Sequence, residues 1–87
     1  MDRNQAIVIF KVEGKNSFET DLEVPLDISA NDLFVGVNTA YNLGIDTTDI
    51  KGCYLKAENP IALLRGNKTL REYGIRNGSR IYFRSEE

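Results

Sequence analysis

The chain has 87 residues, 41% hydrophobic and 28% charged, a balance that suits one folded unit and excludes a disordered segment. Its net charge is −2, with no histidine and one cysteine. That removes an intrachain disulfide, a cysteine-built zinc site and the usual general base near neutral pH.

No apolar run approaches the roughly 18 residues of a membrane span. Polar residues 1–5 lead straight into the short run Ala6-Ile7-Val8-Ile9-Phe10, which is not a signal-peptide core, so a cytoplasmic protein is expected. Charge is uneven. Residues 1–50 hold three Lys+Arg against nine Asp+Glu, a charge of −6, and residues 51–87 hold eight against four, a charge of +4. The second half is therefore the expected side for an acidic partner.

Residues 6–12 alternate as a strand, with Ala6, Val8, Phe10 and Val12 on the expected core face and Ile7, Ile9 and Lys11 on the other. A polar loop with Gly14 follows. Phe18, Thr20, Leu22 and Val24 then alternate with Glu19, Asp21 and Glu23, which predicts a hairpin ended by Pro25. Ser29 is an expected N-cap, with Asp32 three residues on. Leu33, Phe34, Val37, Ala40 and Tyr41 form one apolar stripe, and Gly44 stands where a left-handed C-cap belongs, so a helix is expected over about residues 30–43. Gly36 weakens that helix and suggests close approach to a sheet. Gly52–Lys56 reads as a short strand, residues 57–60 as a turn, and Ile61–Leu64 as another short strand. Thr69 and Glu72 make a capping box with room for one turn of 3₁₀ helix before Gly74. Asn77-Gly78 is a turn signal. A last strand runs to Arg84, with Ile81 and Phe83 on one face and Arg80, Tyr82 and Arg84 on the other.

Catalytic constellations are missing. Cys53 lacks a histidine partner for nucleophilic work and reads as an inert core thiol. Gly66-Asn67-Lys68-Thr69 is not a phosphate loop, because the motif needs Gly immediately before Lys. The carboxylates of residues 13–32 read as a solvated hairpin face. An acidic pI near 5.1 without an aromatic-rich basic motif argues against nucleic acid.

The order of elements, together with Leu22-Glu23-Val24, the Ser29 cap, Thr69-Leu70-Arg71-Glu72-Tyr73-Gly74-Ile75 and the closing Ser79-Arg80-Ile81-Tyr82-Phe83, resembles ubiquitin-like proteins over nearly the whole chain. Asp21-Leu22-Glu23-Val24-Pro25 and the spacing of Leu70, Tyr73, Ile75 and Gly78 are similar to the YukD/EsaB family, small bacterial ubiquitin-like proteins associated with type VII secretion. The resemblance implies an α+β, ubiquitin-like β-grasp fold. Its mixed four- to five-stranded sheet would pack on one main helix, with the short 3₁₀ turn near residues 69–73. A single domain over residues 1–87 is expected, with an ordered core of about residues 6–84. Tyr73 would anchor the loop ahead of it through its hydroxyl, and Leu33, Val37, Ile81 and Phe83 would be structural.

By the same resemblance the protein would be an accessory or regulatory component of a type VII secretion system. It would act without cofactor or catalysis, by docking in the cytoplasm on a membrane component or ATPase, without inserting into the membrane itself. Conjugating modifiers and sulfur carriers end in a mobile Gly-Gly tail, whereas Ser85-Glu86-Glu87 closes this chain, so conjugation is not expected. An alternative is an interaction module of a larger protein. The expected partner face is the outer side of the third and last strands: Tyr54, Lys56, Arg80, Tyr82 and Arg84. Tyrosine and arginine are residue types that dominate binding hot spots, and an acidic, partly apolar partner fits them. A second candidate surface is the acidic hairpin with Glu13, Glu19, Asp21 and Glu23. Nothing in the sequence fixes the oligomeric state.

Overall fold

A computed structural model describes residues 4–14, 17–48 and 52–84. Strands β1 (Gln5–Glu13) and β2 (Phe18–Pro25) pair antiparallel from Gln5↔Pro25 to Val12↔Phe18. Strict alternation sends Ala6, Val8, Phe10 and Val12 inward, where all four are buried. Helix α1 (Ala30–Tyr41) follows, then β3 (Leu55–Glu58), β4 (Ala62–Leu64), α2 (Leu70–Tyr73) and β5 (Arg80–Arg84). The strand order is β2-β1-β5-β3-β4. β5 runs parallel to β1 and antiparallel to β3, so the sheet is mixed and β5 lies at its centre. This is the α+β β-grasp arrangement.

One core joins α1 to the inner sheet face. Leu33, Phe34 and Val37 of α1 pack among Phe10, Val24, Leu55, Leu64, Leu70 and Ile81. Burying a side chain of this size contributes about 1.5–3 kcal/mol. Phe10 stacks on Tyr41 with ring centroids 5.3 Å apart, and Phe83 meets Phe34 edge-on at 6.2 Å. Phe83 is half-buried, at the margin of the core.

Ser29 caps α1, its hydroxyl accepting the Asp32 N–H at 3.1 Å. The helix ends two residues before its expected limit. Asn42, not Gly44, takes the left-handed cap position, at φ 53° and ψ 49°. Asparagine tolerates that conformation, and Asn38 makes the early exit favourable. Its side-chain amide donates to the Ile45 carbonyl at 2.9 Å, and its oxygen accepts the Ile45 N–H at 3.0 Å. Two further expectations fail on α1. Ala40 is exposed and lies off the core stripe. Gly36 is also exposed, and a methyl group placed on it would meet no atom within 4 Å, so no close approach requires a glycine there.

The third strand lies further along the chain than expected. Leu55 and Ala57 are buried, while Lys56 and Glu58 point outward. Ala57 and Glu58 therefore extend the strand, and the turn begins at Asn59. Ala57 is opposed by Ile81 on one side and Ala62 on the other, so packing overrides its low intrinsic strand preference. Gly52, Cys53 and Tyr54 precede the strand and do not belong to it. Ile61 likewise falls in the turn before β4 and is 90% exposed.

The expected 3₁₀ turn is instead a four-residue α-helix, Leu70–Tyr73. The Gly74 N–H reaches both the Leu70 and Arg71 carbonyls, which completes one α-type bond beside the tighter one. Thr69 and Glu72 form the reciprocal capping box at 3.1 and 3.0 Å. Asn77-Gly78 makes the turn into β5 and ties it to β1. The Asn77 side chain accepts the Ile7 N–H at 2.8 Å, and the Gly78 N–H donates to the Ile7 carbonyl at 2.9 Å.

Candidate functional site

The sheet has one face under α1 and one face turned away from it. On the outer face, strand alternation and register bring together residues remote in sequence. Tyr82 is directly opposite Lys56 of β3 and Lys11 of β1. Arg80 and Arg84 flank it two residues away along β5, about 6.7 Å in each direction. Tyr82 thus stands at the centre of a cross of four cations. Two carboxylates temper it. Glu13 reaches Lys11 at 4.0 Å, and Glu58 is opposite Arg80.

The Tyr82 hydroxyl donates to the Glu58 carboxylate. That bond is the largest cause, ahead of desolvation, raising the Tyr82 pKa above its ordinary value. The phenol is therefore protonated at neutral pH, and its hydroxyl is engaged within the sheet. What Tyr82 offers a visitor is its ring, framed by ammonium and guanidinium groups. Tyr54 is 44% exposed just before β3, and with Lys11, Lys56, Tyr82 and Arg84 it lines an open depression that also runs past Phe34, Leu43, Ile45 and Cys53.

Of the residues singled out in the sequence, Lys56, Arg80, Tyr82 and Arg84 share this face, with Tyr54 at its end. Leu33, Val37 and Ile81 are buried. Tyr73 lies elsewhere. Its hydroxyl donates to the Arg65 carbonyl at 2.8 Å and accepts the Arg65 N–H at 3.3 Å. Cys53 is half-buried against the core, outside any strand, with its thiol 3.9 Å from the Asp46 carbonyl. Sequence reasoning missed Lys11 and Glu58. Period-two alternation already turned Lys11 away from the core, but only the parallel β1–β5 pairing makes it a neighbour of Tyr82. Glu58 was hidden by its assignment to a turn.

Glu19, Asp21 and Glu23 of β2 occupy the same outer face, on the far side of β1. The two candidate surfaces are thus one surface, acidic at the β2 end and basic towards β5 and β3. Among the described residues no group of three or more histidine, cysteine or carboxylate side chains is placed to hold a metal ion. No described helix is long and apolar enough to cross a membrane.

The family model for protein YukD of the WXG100 protein secretion system (Wss) matches residues 7–83. The chain belongs to the YukD family. No curated protein matches its sequence. Among solved structures, the YukD-family fold is similar to the C-terminal ubiquitin-like domain of mouse tubulin-specific chaperone e. That likeness has a TM-score of 0.66 and 13% identity, covering 99% of this chain and 93% of the other. It is similar also to the UBL domain of Plasmodium falciparum Dsk2, with a TM-score of 0.58 and 21% identity over 90% and 96% of the two chains. A de novo design based on ubiquitin aligns with a TM-score of 0.65 and 14% identity over 93% and 88%. At these identities the likeness establishes a ubiquitin-like fold. The family match adds the secretion context: this is a ubiquitin-like secretion accessory protein.

Proposed function

We propose that this YukD-family protein is an adaptor that works in the cytoplasm, docking on a membrane component or ATPase of the type VII (WXG100) secretion machinery. The docking surface is the outer sheet face around Tyr82, with Tyr54, Lys56, Arg80 and Arg84 as its contact residues. The observation that carries this reading is the Tyr82-centred cross of cations. Tyrosine rings on a rigid sheet supply contact area at low entropic cost, and arginine, like tyrosine, is enriched at binding hot spots. The chemistry it fits is an acidic, partly apolar segment, whose carboxylates meet Lys56, Arg80 and Arg84 while an apolar side chain covers the tyrosine rings. On this reading the protein presents a surface and makes or breaks no bond. A face of this size belongs with weak and transient contacts.

A crosslinked pull-down from the native host tests it, with wild-type bait beside a Tyr54→Ala, Tyr82→Ala, Arg84→Ala triple variant whose fold is checked by circular dichroism. Wild-type bait is expected to capture secretion ATPase or membrane components, and the folded triple variant is expected to lose them. Equal capture by both baits would reject this face as the site. Capture of no secretion component by either bait would reject the docking function.

A further inference from the structure

We infer that this chain also self-associates: the outer sheet faces of two copies pack together about a two-fold axis running along β1. Charge placement identifies the occupant. The outward positions of β2 carry Glu19, Asp21 and Glu23, whereas the charged outward positions of β5 are Arg80 and Arg84. Between them β1 presents Ile7, 53% exposed, and the half-buried Ile9, followed by Lys11 and Glu13, which pair with each other at 4.0 Å. The stripes are two strand spacings apart, about 10 Å. Among the described residues no ion pair joins them within one copy.

A seam that is apolar at Ile7 and Ile9, with opposite charges on its two sides, is self-complementary in one orientation. A two-fold axis parallel to the strands exchanges the stripes and turns the acidic stripe of each copy towards the basic stripe of the other. An axis across the strands would lay acid on acid. Edge-to-edge pairing of β2 with a second β2 would likewise set carboxylates against one another. Register fixes the contact. Asp21 and Arg80 both stand level with Ile9, so Asp21 of one copy faces Arg80 of the other, Glu19 faces Tyr82, and Ile7, Ile9 and the Lys11–Glu13 pair meet their own counterparts. Face-to-face sheets pack in this roughly aligned manner.

A patch spanning three short strands is small beside the ~800 Å² per partner of a standard stable interface, so the dimer is weak, salt-sensitive and in exchange. It covers Arg80, Tyr82 and Arg84, and it therefore competes with any partner using them. Asp21 and Ile7 lie outside the proposed docking residues, so the two ideas fail separately.

Sedimentation equilibrium of the full chain at low and high salt tests this. Wild type is expected to show a monomer–dimer equilibrium that weakens as salt rises. Asp21→Arg and Arg80→Asp are each expected to weaken it at least about tenfold. The equimolar mixture of those two variants is expected to associate again, as a heterodimer, because each copy's reversed charge then faces its opposite. Both substitutions are at exposed positions, and recovery in the mixture itself reports that both are folded. Ile7→Thr, which changes no charge, is expected to weaken the dimer by opening the seam. A wild type that stays monomeric at about 1 mM in low salt, a dimer indifferent to the reversals, or a mixture that fails to recover would each overturn the inference.

Discussion

A single oxygen holds the loop between β4 and α2. The Tyr73 hydroxyl both donates to the Arg65 carbonyl and accepts the Arg65 N–H, and the Lys68 ammonium lies 4.8 Å from the centre of its ring. Tyr73→Phe keeps the ring and the cation contact and removes only those two bonds. It is expected to lower stability by about 1–2 kcal/mol, measured as the urea midpoint at constant m-value. An unchanged midpoint would mean that water replaces the hydroxyl at no cost. Gly36 makes the opposite case. It is exposed in mid-helix with open space where a methyl group would go. Gly36→Ala is therefore expected to raise stability by about 0.5–1 kcal/mol, mostly by restricting the unfolded chain. A lower melting temperature would instead reveal a neighbour that presses on that position. Sequence alone could supply the role of Tyr73, because the residue falls inside a recognisable Thr-Leu-x-x-Tyr-x-Ile spacing. It could not supply the surroundings of Gly36, since a glycine in a helix reads the same whether it faces a sheet or solvent.

The elements themselves were legible wherever pattern and punctuation agree. The first hairpin shows period-two alternation broken by a polar, glycine-bearing loop, and its register follows from the apolar set. The start of α1 was equally plain from Ser29. Its end was not, because the deciding feature is the Asn38 side chain bonding both backbone groups of Ile45, a contact no propensity describes. The position of β3 was obscured for a related reason. Alanine and glutamate before Asn-Pro look like turn residues until Ile81 packs against Ala57. The second helix has only four residues, so its caps weigh heavily. The Thr69 N–H and hydroxyl both donate to Glu72, and these bonds hold its pKa below the ordinary carboxylate value. A carboxyl whose folded pKa is depressed contributes stability that is complete above its unfolded pKa and is lost as pH falls through the folded one. Glu72→Gln removes that titration while keeping an acceptor for the cap. Its stability is expected to fall less steeply than that of wild type from about pH 5 down to about pH 2, followed by urea unfolding across that range. Parallel acid limbs for the two proteins would show that the cap does not couple to this carboxyl.

Across the whole molecule, the candidate face depends on a pairing that joins the two ends of the chain. β1 and β5 lie side by side, parallel, from Ile9↔Arg80 to Glu13↔Arg84. That is why the sequence could place Arg80, Tyr82 and Arg84 on one strand face yet could not add Lys11, some seventy residues away. The same pairing sets the acidic stripe of β2 one strand further out, so the charge imbalance between the chain's halves becomes a gradient across one sheet. Lys11 lies on the boundary of that gradient, beside Tyr82 and within 4.0 Å of Glu13. If the partner carries carboxylates, reversing the charge at Lys11 places a repelling group beside the central ring. Lys11→Glu is expected to reduce capture of the secretion component several-fold, and about as much as Lys56→Glu, since the two lysines flank Tyr82 symmetrically. Lys68→Glu, which acts on the Tyr73 ring away from this face, is the matched control and is expected to leave capture intact. Because screening shortens the reach of exposed charges to about 8 Å at physiological salt, the difference between Lys11→Glu and wild type should shrink as salt is raised. Quantitative pull-down across a salt series measures this. If Lys56→Glu impairs capture and Lys11→Glu does not, the partner sits over β3 and the β3–β4 turn, and the cross centred on Tyr82 is not the unit that binds.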